Sequence, residues 1–126
     1  MPHITVDYSP QLAGSFDLRV FAAELQSTVL EGSGSAGTCK TLFRQAAEVG
    51  VADRHGDAAT LVHVEAAPSV HVEVALLPGR PDGVKSRLSE DVLALLEKHL
   101  GVGTPHAVVC SVEVRDLGGS YRLRTF

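Results

Sequence analysis

The sequence has no surplus of positive charge: 11 lysines and arginines stand against 15 aspartates and glutamates, a net charge of −4. No overall positive field therefore exists to hold nucleic acid or an anionic membrane surface. A pocket that is locally basic on such a chain remains compatible with a small anionic substrate. Long apolar runs are also missing. Met1 leads directly into Pro2 and His3 without a basic start, so neither a secretory signal nor a membrane span is expected, and the default compartment is the cytoplasm. Cysteine is scarce, and Cys39 and Cys110 are the only two. They lie too far apart for a local zinc knuckle, and a cytosolic setting disfavours a disulfide, so both are read as strand residues. What the chain has in quantity is apolar surface. At 44% hydrophobic residues, its 126 residues suffice for one packed core, and 1–126 is read as a single domain.

Periodicity organises that surface. Ile4, Val6 and Tyr8 alternate with Thr5 and Asp7, which predicts a strand over 4–8 with one buried face. Leu18, Phe21, Leu25 and Val29 recur at spacings of three and four. They predict an amphipathic helix capped by Ser15 or Asp17 and ended by Gly32. After a Gly/Ser loop over 32–37, residues 38–43 read as a second strand, parallel to the first because a helix lies between them. A polar region without clear period over 49–59 precedes strand-like segments at 61–65 and 70–77. These carry the tetrapeptide Val-His-Val-Glu twice, either as a hairpin about Pro68 or as a local duplication. Val84, Leu88, Val92, Leu95, Leu96 and Leu100 form the stripe of a second helix, opened by Pro81 or Asp82 and ended by Gly101. A last strand is predicted over 107–117. The expected fold is thus α+β: two β-α-β repeats laying four strands into one mixed sheet with both helices on one face. Something else, in so short a chain another subunit, must cover the opposite face. A ferredoxin-like sandwich fits the same order of elements.

Pro2 is the candidate for chemistry. Once Met1 is removed, a terminal proline is a secondary amine. Its ordinary α-amino pKa of about 8 falls toward neutrality under desolvation or beside cations, which makes it a usable general base. The bland alternative is a Met-Pro start without consequence.

The opening Met1-Pro2-His3-Ile4-Thr5-Val6-Asp7-Tyr8-Ser9 resembles the start of the 5-carboxymethyl-2-hydroxymuconate delta-isomerase family, within the tautomerase superfamily of the 4-oxalocrotonate tautomerase and macrophage migration inhibitory factor fold. The likeness continues in order through Ser35-Ala36-Gly37, Val70-His71-Val72, Leu76-Leu77-Pro78-Gly79-Arg80 and Ser111-Val112-Glu113-Val114, and so spans nearly the whole chain. The resemblance implies a homotrimer with the terminal proline at the base of a pocket near a subunit interface. It also implies a cofactor-free and metal-free proton shift on an anionic 2-hydroxydienoate or 2-oxo acid. The amine would take a proton from the 2-hydroxydienoate and return one to carbon, with cations offsetting the dienolate charge. Arg80 aligns with a substrate-binding arginine of the family; without the family it reads as a solvated loop residue. A second family arginine belongs in the strand after Ala36-Gly37. Here Cys39, Lys40 and Thr41 stand instead, so Lys40, or Arg44 on the same strand face, is expected to supply the charge, without the bidentate geometry in the case of Lys40. The segment 54–69 is longer than the family's, and the tail around Ser120-Tyr121-Arg122 only loosely resembles its Asn-rich end.

Other activities stay open beside this one. They are another Pro2-dependent tautomerase or a dehalogenase, and a non-catalytic trimeric binding module that keeps the fold without using the amine. His63, Glu65, His71 and Glu73 lie at alternate positions that could suggest a metal, but they read better as a solvated face opposite the valines. The Ser33/Ser35 glycine loop lacks the lysine of a phosphate loop and reads as a flexible connection. Cys39 reads as a packed strand thiol. Tyr8 and Tyr121 are each pocket, core or interface residues on sequence alone.

Overall fold

The computed structural model of the protein describes residues 1–49, 67–101 and 107–126. The first Val-His-Val-Glu copy, with His63 and Glu65, the strand expected over 61–65 and most of the polar region over 49–59 lie outside these residues. Strand β1 (His3–Tyr8) is followed by a short 3-10 turn (Pro10–Leu12), helix α1 (Leu18–Ser33), strands β2 (Lys40–Gln45) and β3 (Ser69–Leu76), helix α2 (Asp82–Leu100) and strand β4 (Val109–Asp116). The four strands form one sheet in the order β2-β1-β3-β4. β1 pairs in parallel with β2 and antiparallel with β3, and β3 pairs in parallel with β4. The two β-α-β units expected from the sequence are present in one mixed sheet, and they meet at an antiparallel β1–β3 seam.

Alternation decides which face each residue takes. Ile4 and Val6 of β1 and Val70, Val72, Val74 and Leu76 of β3 are buried in one cluster with Phe21, Leu25 and Val29 of α1 and Leu88, Val92, Leu96 and Leu100 of α2. Both helices thus cover the same face of the sheet and pack on each other. The opposite face carries Lys40, Leu42 and Arg44, then His3, Thr5 and Asp7, then Ala75, Glu73 and His71, then Arg115, Glu113 and Ser111, in cross-strand register.

Two boundaries differ from expectation. α1 does not stop at Gly32 but runs on through Ser33, and Gly34, at φ 65°, closes it by donating to the carbonyls of Glu31 and Leu30. Only glycine takes that conformation without strain. Gly32 has another reason to be small. A Cβ there would sit 2.8 Å from Leu88 Cδ1, so it lets α1 and α2 approach. β2 starts two residues later than expected, at Lys40, because Gly37, at φ 97°, is still turning the chain. Asp17, one of the two expected caps, accepts from the backbone N–H groups of Arg19 and Val20. The 3-10 turn was not anticipated. Its Leu12 is buried, and Pro10 is at home in a first helical turn.

Candidate active site

The topology collects a group of polar residues at one end of the sheet. β1 and β2 begin where β3 and β4 end: His3 lies opposite both Lys40 and Ala75, and Leu76 lies opposite Asp116. Pro2, the entry to β2, the turn from Leu77 to Arg80 and the chain after Asp116 therefore gather there. Pro2 is buried, and its carbonyl accepts the Lys40 N–H at 3.0 Å. The residue that a terminal amine would belong to is thus held by its ring and by its backbone. With Met1 in place the Pro2 nitrogen is an amide without a basic lone pair. Met1 reaches Thr38, whose hydroxyl lies 3.6 Å from the Met1 sulfur.

Arg80 spans the join between the helices and this end. Its Nε donates to the Ser33 carbonyl at 2.6 Å, Nη1 to the Leu77 carbonyl at 3.0 Å and Nη2 to Ser35 Oγ at 2.9 Å. Ser33 and Ser35 share a hydroxyl contact of 2.8 Å, and Ser33 also donates to the Val29 carbonyl. The guanidinium thus sits on the last carbonyl of α1, that of Ser33, where a cation is favoured by the helix dipole. Every one of these partners is neutral, and two of its five N–H hydrogens find no partner among the described residues. No carboxylate among the described residues pairs with Arg80 or with Lys40, whose exposed side chain stands beside His3 on the sheet face away from the helices. Arg44 shares that face, as the even spacing from Lys40 requires, but lies four residues further along, about 13 Å away at strand rise. There it grips Asp7 through two bonds of 2.8 and 3.0 Å. That grip lowers the Asp7 carboxyl below its ordinary range.

His3, next to Pro2 in the chain, finds its partner far along the sequence. His3 Nε2 lies 2.9 Å from the Tyr121 hydroxyl, with the rings edge to face at 5.3 Å. Burial first, then Lys40, then the amino terminus push His3 below the ordinary imidazole range. Of the two tyrosines left open by the sequence, Tyr121 therefore belongs to this end. Tyr8 packs on Phe16, which contacts Phe21 of the core. His3 was not among the residues singled out by sequence, because its partner is 118 residues away.

The remaining candidates have partners elsewhere. His71, Glu73 and Glu113 each place a ligand atom within 4.8 Å of the others, on the face opposite Val70 and Val72. His71 meets Ser111 at 2.7 Å, and Glu73 pairs with Arg115 at 2.9 Å, so two of the three are engaged in the sheet's own polar network. Cys39 and Cys110 are free thiols pushed up by burial, Cys110 also by Glu97. Cys39 ends the loop before β2, rather than lying in the strand. No described helix is long and apolar enough to cross a membrane.

No protein-family model matches the chain, and no curated protein matches it in sequence. Solved structures do. A 5-carboxymethyl-2-hydroxymuconate isomerase from Deinococcus radiodurans R1 superposes with a TM-score of 0.76 at 18% identity, over 98% of this chain and 90% of that one. A 5-carboxymethyl-2-hydroxymuconate delta-isomerase gives 0.75 at 16%, over 100% and 89%. A fused 4-OT, described as a symmetric trimer, gives 0.61 at 12%, over 91% and 86%. Paired β-α-β units, four strands in the order β2-β1-β3-β4 and a proline at the head of β1 are thus set in the tautomerase fold.

Proposed function

We propose that the chain is a cofactor-independent isomerase of the tautomerase type that moves a proton on a 2-hydroxymuconate-like substrate, with Pro2 as general base after loss of Met1. The observation that carries this reading is the coincidence, at one end of the sheet, of a buried and backbone-pinned Pro2 with two cations that lack carboxylate partners among the described residues. The isomerase names of structural neighbours that cover nearly the whole chain support it.

In this account the Pro2 nitrogen removes the proton of the 2-hydroxyl group as its oxygen becomes a carbonyl. The electron pair moves along the diene, and a proton is delivered to carbon. Arg80, with two N–H hydrogens unpaired among the described residues, and Lys40 bind the substrate's carboxylates and offset the negative charge of the dienolate. Arg44 is assigned to the sheet through Asp7 rather than to substrate. The working molecule is a homotrimer, because among the described residues no helix covers the second face of the sheet and a neighbour of this fold is a symmetric trimer.

The test is a panel of 2-hydroxydienoates and enolised 2-oxo acids followed by ultraviolet absorbance with processed wild type and Pro2→Ala. The expected result is turnover of at least one substrate, with kcat reduced about a hundredfold or more in Pro2→Ala, the scale of a lost general base. Equal kcat in the two proteins on the best substrate would refute the assignment.

A further inference from the structure

The nitrogen used in the proposed reaction becomes the first atom of the chain, and a chain end wanders unless it is tied down. Two ties belong to Pro2 itself, its burial and the bond from Lys40 N–H to its carbonyl. A third comes through side chains, from His3 to the Tyr121 hydroxyl at 2.9 Å. This contact brings the chain beyond β4, which has no regular secondary structure after Asp116, back to the start of β1. That stretch is anchored at its base: Leu117 N–H donates to the Leu76 carbonyl at 2.6 Å, and Tyr121 N–H turns back to Gly118 at 3.0 Å. Tyr121 is thereby offered to His3 from a held turn rather than from a loose end.

The surroundings of His3 favour a neutral ring. Burial disfavours charge on it, Lys40 faces it from β2, and the amino group of Met1 adds a second cation where Met1 is kept. From β3 it faces Ala75. The next acidic group on that strand, Glu73, is occupied by Arg115. A neutral imidazole has one N–H and one lone pair, and a tyrosine hydroxyl can meet either.

We propose that Tyr121, acting through His3, is a positioning residue for the Pro2 amine. The inference rests on the reading of Pro2 as the base. His3 follows Pro2 directly, so holding its side chain restricts the rotations that set where the nitrogen lone pair points. Tyr121 is not assigned to the reacting atoms or to the carboxylate-binding cations. Its effect therefore belongs in the orientation of the base, and hence in kcat.

The experiment uses processed full-length protein. Tyr121→Phe keeps the ring and its edge contact with His3 and removes only the hydroxyl. The expected outcome is a fall in kcat of about tenfold with KM within about twofold, as for a reacting group misplaced by a fraction of an ångström. His3→Ala should show the same loss, the double variant no further loss, and His3→Gln a recovery, since its carboxamide can again reach the hydroxyl. A readout that needs no substrate is the titration of the Pro2 nitrogen by 15N resonance in proline-labelled protein. In Tyr121→Phe its midpoint should move up toward the value of about 8 of a solvated amine. That arm separates the two ideas: if Pro2→Ala kept full turnover, the base would be lost, while the titration would still report whether Tyr121 holds Pro2. The proposal is overturned by a Tyr121→Phe variant with wild-type kcat and wild-type Pro2 midpoint, by losses that add in the double variant, or by a change confined to KM or to the thermal midpoint.

Discussion

Under the proposed function Arg80 has two jobs, one structural and one toward substrate, that one substitution would confuse. Its fork closes the end of α1 on Ser33 and the turn at Leu77, and in the proposed reaction its remaining N–H hydrogens meet substrate. Arg80→Ala is therefore expected to lower stability by about 1–3 kcal/mol in urea denaturation, through charge-assisted bonds lost to carbonyls, and also to raise KM about tenfold or more. Arg80→Lys keeps the charge without the fork, so it should recover more of the KM than of the stability. An alanine variant with unchanged KM for a dianionic substrate at low salt would remove Arg80 from the site. Sequence alone presented Arg80 either as a carboxylate binder or as a solvated loop residue. A part in ending a helix 47 residues earlier has no local signature, because it depends on how α1 and the turn after β3 come together. The same holds for His3 and Tyr121. By contrast, the placement of Lys40 and Arg44 on one face followed from strand alternation alone, whereas the Asp7 grip on Arg44 required the β1–β2 register.

The elements were legible where a pattern repeats. α2 was readable because its apolar stripe is bounded by Pro81 and Asp82 at one end and Gly101 at the other, and the helix runs from Asp82 to Leu100. The end of α1 was misread because several glycines compete between 32 and 37. The choice is made by packing and backbone sign: Gly32 is needed small against Leu88, and Gly34 is the left-handed cap. Gly34→Ala meets no atom within 4 Å, so its cost is backbone strain alone, expected at about 1–2 kcal/mol. A shift of the urea midpoint checks this, and a variant as stable as wild type would show that the cap is not strained for alanine. Because Ser33 and Ser35 on either side of Gly34 hold Arg80, loosening the cap should also raise KM modestly.

At the scale of the whole molecule, one face of the sheet is closed by helices, while among the described residues no helix lies on the other. On that second face Leu42 is 45% exposed between Lys40 and Arg44. Among the described residues β2 and β4 are the outer strands of the sheet, and such edges invite pairing with another chain. Light scattering is expected to give three times the chain mass, and Leu42→Glu is expected to shift the protein toward monomer. A monomer at assay concentration in the wild type would reject the trimer. The order of elements and their periods narrowed the fold to two arrangements, and the observed strand order and the parallel β1–β2 pairing exclude the ferredoxin-like one. The site was legible only in part, because its geometry rests on contacts between the two ends of the chain. The central claim turns on a single nitrogen, and it is tested most directly by comparing two forms of one chain: processed protein beginning at Pro2, and protein that retains Met1, each verified by intact mass and assayed on the same 2-hydroxydienoate. The account predicts turnover in the processed form and essentially none in the Met1 form, whose Pro2 nitrogen is an amide; equal turnover in the two would contradict it.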